Sequence, residues 1–188
     1  MSQERLLAAL EQGARLCLAP LSAMGGGPWE ASDSLAGEAA ARRLQALVEE
    51  PTLEDCHGVW LTARSAAFLA FFPRRCALWL TERFTRGHAE RIDALVTRDL
   101  QGVAEIANIV VNAFIVPLAE ALDQDLVLSG PETMLERRHE LLARALARRP
   151  GLEDLGPAGF VRLTNGGRQE FFLAVFLASD AAERLSRP

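Results

Sequence analysis

The sequence contains few cysteines and histidines, and they do not form the clusters that disulfide frames and metal sites require. Cys17, Cys56 and Cys76 are odd in number and form no CxxC pair, a pattern typical of buried thiols in a reducing compartment. Cys56 and His57 are adjacent, but no second cluster has the spacing of further zinc ligands. We therefore expect neither a disulfide nor a bound metal in this chain.

The sequence also lacks the short motifs that identify several common catalytic centres. It has no Gly-x-Ser-x-Gly elbow, no Walker loop and no dinucleotide fingerprint. The run from Gly25 to Pro28 follows a predicted helix rather than a strand, which favours a loop over a phosphate-binding cradle. The net charge of −5 argues against a nucleic-acid partner, because binding phosphates requires a basic face.

Length and composition are those of one soluble domain. The 188 residues are 49% hydrophobic and 24% charged, enough for one substantial core. Glu4, Arg5 and Glu11 interrupt the apolar residues of the N-terminus, which argues against a signal peptide. The apolar segment 103–119 contains a carboxylate and two carboxamides, so we interpret it as a core helix rather than a membrane span. We expect a cytoplasmic protein that does not bind membranes.

Hydrophobic periodicity predicts helices that alternate with pairs of strands. Pro131 is predicted to lie in the first turn of a helix, where a missing N–H costs nothing. The turn Asn165-Gly166-Gly167 supplies the residues that a tight hairpin needs. The predicted helices cover residues 4–24, 35–50, 74–86, about 93–122 and about 131–148, and the predicted hairpins cover residues 58–72 and 159–179.

The two halves of this predicted order match each other, since each runs helix, excursion, helix, strand, strand. Glu11 then corresponds to Glu105. We infer an internal duplication within a single domain spanning 1–188, with pseudo-repeats at approximately 4–87 and 93–179. This order predicts an α+β fold, in which two pseudo-symmetric helix and β-hairpin halves form one mainly antiparallel sheet with long helices packed on it.

The long helix carries a file of polar residues that we call the polar stripe: Gln101, Glu105, Asn108 and Asn112. Their spacing of four, three and four places them on one face of a helix, while apolar residues fill the rest of the circumference. Burying a carboxylate and carboxamides without partners is costly, so we expect the polar stripe to face solvent. A further expectation is that Asn112 hydrogen-bonds a neighbouring strand.

Glu105 and Asn108 are three residues apart, so their side chains project together. The carboxylate can accept a salt bridge from a partner's lysine, and the carboxamide can orient a water molecule for attack. Positioning and electrostatics supply most of the catalysis of phosphoryl transfer, so such a pair suits a phosphatase without a metal site. The alternative is that both are solvated surface residues without a catalytic role.

Glu105, two residues, Asn108, 22 residues and Pro131 resemble the signature of the CheC/CheX/FliY family of chemotaxis phosphatases, and EIANIVVNAF resembles its helix. The resemblance implies a CheC-like fold and hydrolysis of the aspartyl-phosphate of a CheY-type receiver. It implies that Glu105 contacts the receiver's lysine and that Asn108 places the attacking water. Magnesium would be bound by the receiver, and this chain would need no cofactor.

Two positions depart from that family. Gln101 stands where the family usually has Asp or Ser, and Ala14 stands where a second site would have Asn, so the resemblance implies one retained site, as in CheX. Glu11 remains in the first half. An alternative is a non-catalytic module of the same fold that docks a receiver or a CheD-like deamidase. A further alternative is a homodimer in which the apolar helix pairs with its copy.

Overall fold

The computed structural model describes residues 2–24, 27–50, 52–85, 95–147 and 155–181. Gly25 and Gly26, and the helix stop predicted at Gly87, lie outside these ranges. The helices are α1 (Ser2–Ala23), α2 (Glu38–Glu49), α3 (Arg74–Thr85), α4 (Leu95–Leu122) and α5 (Arg138–Leu146). The strands are β1 (Glu30–Ala36), β2 (Asp55–Ala63), β3 (Ala66–Pro73), β4 (Glu132–Arg137), β5 (Leu155–Asn165) and β6 (Gln169–Ala178).

The six strands form one sheet in the order β1-β5-β6-β3-β2-β4. Every neighbouring pair is antiparallel. If β1 is exchanged with β4, β2 with β5 and β3 with β6, the same order is obtained from the opposite edge of the sheet. The sheet therefore has an approximate two-fold axis between β3 and β6. The predicted α+β class, with two pseudo-symmetric halves and an antiparallel sheet, is confirmed.

Helices cover both faces of the sheet, because the central strands are apolar on both sides. In β3, Phe68 and Phe72 belong to the core formed with α1, α3 and α4. Leu69 and Phe71 belong to a second core, formed with α2 and α5. Side chains of a strand alternate between the two faces, so an uninterrupted apolar run such as β3 requires cover on each. Each fully buried Phe contributes about 1.5–3 kcal/mol of hydrophobic stabilisation.

Both predicted hairpins are present. Arg64 and Ser65 connect β2 to β3, with Ala63 opposite Ala66. In the second hairpin, Gly166 and Gly167 have φ values of 52° and 70°. Those positive values favour glycine, which explains why this sequence marks a turn so clearly.

The predicted helix over residues 35–50 is wrong at its beginning. Leu35 belongs to β1, which pairs with β5 at one edge of the sheet. The helix starts after Gly37, whose φ is 60° and whose N–H donates to the carbonyl of Ala158 over 2.7 Å. Only the last residue of β1 is buried, so the strand lacks the apolar alternation from which strands are predicted.

The helix predicted to start at Pro131 is also wrong over its first turns. Residues Glu132–Arg137 form β4, which pairs with β2 at the other edge of the sheet, and α5 begins only at Arg138. Two contacts fix the chain before this strand: Ser129 N–H donates to the carbonyl of Thr62 over 2.7 Å, and Thr62 N–H donates to Ser129 Oγ over 3.1 Å. Pairing with β2 thus outweighs the helical pattern of the local sequence.

The segment Gln101–Leu122 of α4 is long and apolar enough to cross a membrane, and half of it is buried within the chain. Val103, Ile106, Val110 and Phe114 are fully enclosed by the core with α1 and the sheet. This packing explains the apolar composition of α4 as that of a core helix.

Candidate functional site

The candidate site depends on how α1 and α3 pack against α4. α1 packs along one side of α4, and a Cβ on Gly13 would lie 2.4 Å from Cδ1 of Phe114. α3 approaches elsewhere, where a Cβ on Gly102 would lie 2.6 Å from Cγ2 of Thr81. Glycine at these two positions therefore lets α1 and α3 lie against the apolar side of α4 and leaves its polar side uncovered.

The polar stripe lies on that uncovered side. Gln101, Glu105 and Asn112 are exposed, and Asn108 is half-buried. The expectation that the polar stripe faces solvent is therefore met. Adjacent, accessible side chains are a geometric requirement for any role of Glu105 and Asn108 at the surface of another protein.

Asn112 contacts its own helix rather than a neighbouring strand, so that expectation is wrong. Its Nδ2 lies 3.0 Å from Oδ1 of Asn108 and 2.8 Å from the carbonyl oxygen of Asn108. The i, i+4 spacing places these two carboxamides one above the other on the helix surface. That spacing was visible in the sequence, but the direction of the hydrogen bond was not.

The carboxylate of Glu105 forms no hydrogen bond or ion pair with any residue in the described ranges. An exposed carboxylate in this state can accept hydrogen bonds from a lysine of another protein without first losing an internal partner. The half-buried Asn108 next to it can both donate and accept. Together the two side chains offer an anchoring charge and a group able to orient water.

Pro131 belongs to a different segment of the chain from the polar stripe. It is exposed and immediately precedes β4, at an edge strand where the absence of an N–H is tolerated. The structure therefore gives Pro131 a place in the fold, next to the hydrogen bonds of Ser129 with Thr62, rather than a position on the helix that carries Glu105 and Asn108.

The first half of the chain has no equivalent carboxamide. Ala14, at the position corresponding to Asn108, is only 1% exposed and belongs to the core. Leu7 and Leu18 pack against the same core. Glu11 is exposed, but the residue three positions further along is the buried Ala14 rather than an asparagine, so the two pseudo-symmetric helices differ chemically at the positions that form the polar stripe.

The three cysteine thiols are buried, and burial makes them unreactive. Burial raises the pKa of Cys17, Cys56 and Cys76 from an ordinary value of about 9 to about 12 in each case. A thiol is a nucleophile or metal ligand only as the thiolate, which burial suppresses here. Within the part of the chain that the structure describes, no three His, Cys, Asp or Glu side chains are grouped closely enough to hold a metal ion.

The amino-acid sequence matches no family model and no curated protein sequence at a significant level. Similarity appears instead in three dimensions. FliY from Thermotoga maritima superimposes with a TM-score of 0.63 and 11% identity, over 98% of this chain and 93% of FliY.

Two further solved structures have a similar fold. FliM from Helicobacter pylori, solved as a complex with SpeE, gives a TM-score of 0.59 and 10% identity over 98% of this chain and 94% of the other. CheX from Borrelia burgdorferi, solved with CheY, BeF3 and Mg²⁺, gives 0.55 and 11% identity over 90% and 95%.

The architecture is therefore that of a CheC-like domain. More specifically, the chain has the fold shared by CheX, FliY and the FliM middle domain, which confirms the fold that the resemblance of the α4 sequence implied.

Proposed function

We propose that this protein is a phosphatase that accelerates hydrolysis of the aspartyl-phosphate of a CheY-type response-regulator receiver. The observation that carries the proposal is that the exposed Glu105 and the half-buried Asn108 lie three residues apart on the uncovered side of α4. The fold and the resemblance of the signature Glu105, Asn108 and Pro131 support it, as does the complex of a similar CheX with CheY.

In this proposal the polar stripe enters the phosphorylated pocket of the receiver. Glu105 accepts a salt bridge from the receiver's active-site lysine and anchors α4 there. Asn108 holds a water molecule in line with the phosphorus atom. The water oxygen forms a bond to phosphorus while the bond from phosphorus to the aspartate oxygen breaks, and inorganic phosphate and a free aspartate carboxylate result. The catalytic contribution is positioning.

Magnesium in this reaction belongs to the receiver, where it neutralises charge on the phosphoryl group. This chain contributes side chains alone, and we propose that it works without a cofactor of its own. The proposed setting is chemotaxis or two-component signalling in the cytoplasm.

The similarity to FliM favours a second candidate, a non-catalytic module of the same fold that docks a receiver or a CheD-like deamidase. Its distinguishing outcome is a stable complex without a change in the phosphate lifetime. The alternative homodimer, in which the apolar helix pairs with its copy, would need another contact, because Phe114 is fully buried within the chain and packs against Gly13.

The experiment that separates the two candidates uses one receiver in two forms. Release of inorganic phosphate is measured from receiver phosphorylated with a small-molecule donor, with and without this protein. Binding is measured with receiver loaded with beryllium fluoride and Mg²⁺. The phosphatase predicts faster phosphate release, whereas binding with unchanged release would favour the docking module.

A further inference from the structure

We infer that Asn112 is a positioning residue for the proposed hydrolysis, because it fixes which end of the Asn108 carboxamide meets the receiver. The inference rests on the proposed function and extends it to a residue outside the signature that the sequence resembles. Its basis is the pair of contacts from Asn112 Nδ2, at 3.0 Å to Oδ1 and at 2.8 Å to the carbonyl oxygen of Asn108.

The Asn108 carboxamide needs such a restraint. The terminal torsion of an asparagine is broad and roughly two-fold, so its oxygen and nitrogen readily exchange places. The two ends make opposite demands on a water molecule, because the oxygen only accepts hydrogen bonds and the nitrogen only donates. Without a restraint, Oδ1 and Nδ2 of Asn108 would therefore be exchanged for part of the time, and the water would meet a donor where it needs an acceptor, or the reverse.

Asn112 removes this ambiguity by its chemistry. The Nδ2 group that approaches Asn108 is a donor, so it selects the orientation in which Oδ1 of Asn108 faces it. The second contact, to the Asn108 carbonyl, anchors the same donor to the rigid helix backbone. Nδ2 of Asn108 donates to no residue that the structure describes, so that group and the second lone pair of Oδ1 are left for the receiver and the water.

The exposure of the Asn112 side chain allows its role in orienting Asn108 to be distinguished from a role in folding stability. Asn112 is exposed, so shortening its side chain leaves no cavity and its effect on folding stability should be small. Orientation that is fixed before docking lowers the cost of reaching the reactive geometry. The expected loss therefore falls on the rate of the bound complex and not on its formation.

Asn112→Asp provides a sharp test because it keeps the shape of the side chain and replaces the donor with an acceptor. The carboxylate repels Oδ1 of Asn108 and attracts its Nδ2, which reverses the carboxamide. Val116→Asp is the matched control. Val116 lies one turn further along α4 and is 58% exposed, so this change adds the same charge without replacing the donor.

The experiment measures kcat and KM of the full chain on phosphorylated receiver, together with relaxation of the Asn108 side-chain amide by ¹⁵N NMR. We expect Asn112→Ala to lower kcat by about five- to tenfold, the size of one lost hydrogen bond, with KM unchanged and a more mobile Asn108 amide. Asn112→Asp should lower kcat further, and Val116→Asp should leave it unchanged.

The inference would be overturned, while the proposed function stands, if Asn112→Ala had the same kcat as wild type. It would also be overturned if Asn112→Asp and Val116→Asp lowered kcat equally. A wild-type chain with no effect on the receiver would overturn the proposed function, and with it this inference.

Discussion

Gly13 of α1 and Phe114 of α4 lie so close that a Cβ added to Gly13 would come within 3.0 Å of the Phe114 backbone as well as its ring. Arg5, further back in α1, donates to the carbonyl of Ala121, further along α4, over 3.1 Å. The two helices therefore run antiparallel in close contact. This contact presses the apolar side of α4 into the core and leaves its polar stripe at the surface.

Gly13→Ala should therefore destabilise the fold. The new methyl group forces the buried Phe114 ring to move, a strain of about 1–3 kcal/mol that outweighs the gain of up to about 1 kcal/mol from replacing glycine within a helix. Denaturant unfolding measures the difference. Gly130→Ala is the matched control, because nothing lies within 4 Å of a Cβ there, and an equal effect of both changes would contradict the packing described.

Ala14→Asn should not create a second active site. The position is 1% exposed, so the new carboxamide would be buried among apolar side chains without a hydrogen-bond partner. This burial should lower the free energy of unfolding by about 1–3 kcal/mol. We expect a lower unfolding free energy and no increase in phosphate release from a receiver. A variant that is as stable as wild type and faster would show that the first half can present an amide at the surface.

Glu105→Gln should weaken docking on the receiver by about tenfold, equivalent to about 1.4 kcal/mol, because it removes the charge that pairs with a lysine. Titration against receiver loaded with beryllium fluoride measures this change, and the difference should shrink as salt is added. Glu120→Gln is the control, since Glu120 is an exposed acid later in the same helix. Equal affinities of the two variants would remove Glu105 from the proposed interface.

The three cysteines predict how stability depends on pH. Each folded-state pKa is raised to about 12, so the folded state keeps protons that the unfolded thiols lose from about pH 9 upward. The stabilisation is complete below the unfolded pKa and is lost progressively as pH rises toward 12. Denaturant midpoints between pH 8 and 10 should therefore fall, and replacing the cysteines with alanine should flatten the decline. An unchanged slope in that variant would assign the decline to other groups.

The same burial should make the native thiols slow to react with an alkylating reagent at neutral pH. All three should react once guanidinium chloride unfolds the chain. Rapid labelling of Cys56 in the native protein would contradict its buried position.

The central elements of the fold could be predicted from sequence because their patterns are strong. The apolar runs of β2 and β3 and the glycines of the turn at Gly166 and Gly167 have one reasonable interpretation. The edge strands β1 and β4 could not be predicted, since half-exposed strands have little apolar alternation and take their structure from pairing with a neighbour. Pro131 is equally suited to a first helical turn and to a sheet edge, and only the pairing with β2 decides between them.

The polar stripe could be found from sequence because a spacing of four, three and four on an apolar helix is unusual. The spacing alone could not show which of these side chains hydrogen-bond to each other. From the sequence, Asn112 could equally have contacted a strand, and only the three-dimensional structure shows that its Nδ2 lies against Oδ1 of Asn108. The burial of Ala14 likewise depends on how α1 packs against α4, which no single helix reveals.

The most direct test of the central proposal is the rate of phosphate release from a phosphorylated receiver with wild-type protein and with Asn108→Ala. We expect wild type to shorten the phosphate lifetime. We expect Asn108→Ala to lose on the order of a hundredfold of that acceleration, the scale expected when a positioned water is released, while it still binds receiver loaded with beryllium fluoride. Equal phosphate lifetimes with wild type, with Asn108→Ala and without either protein would contradict the proposal.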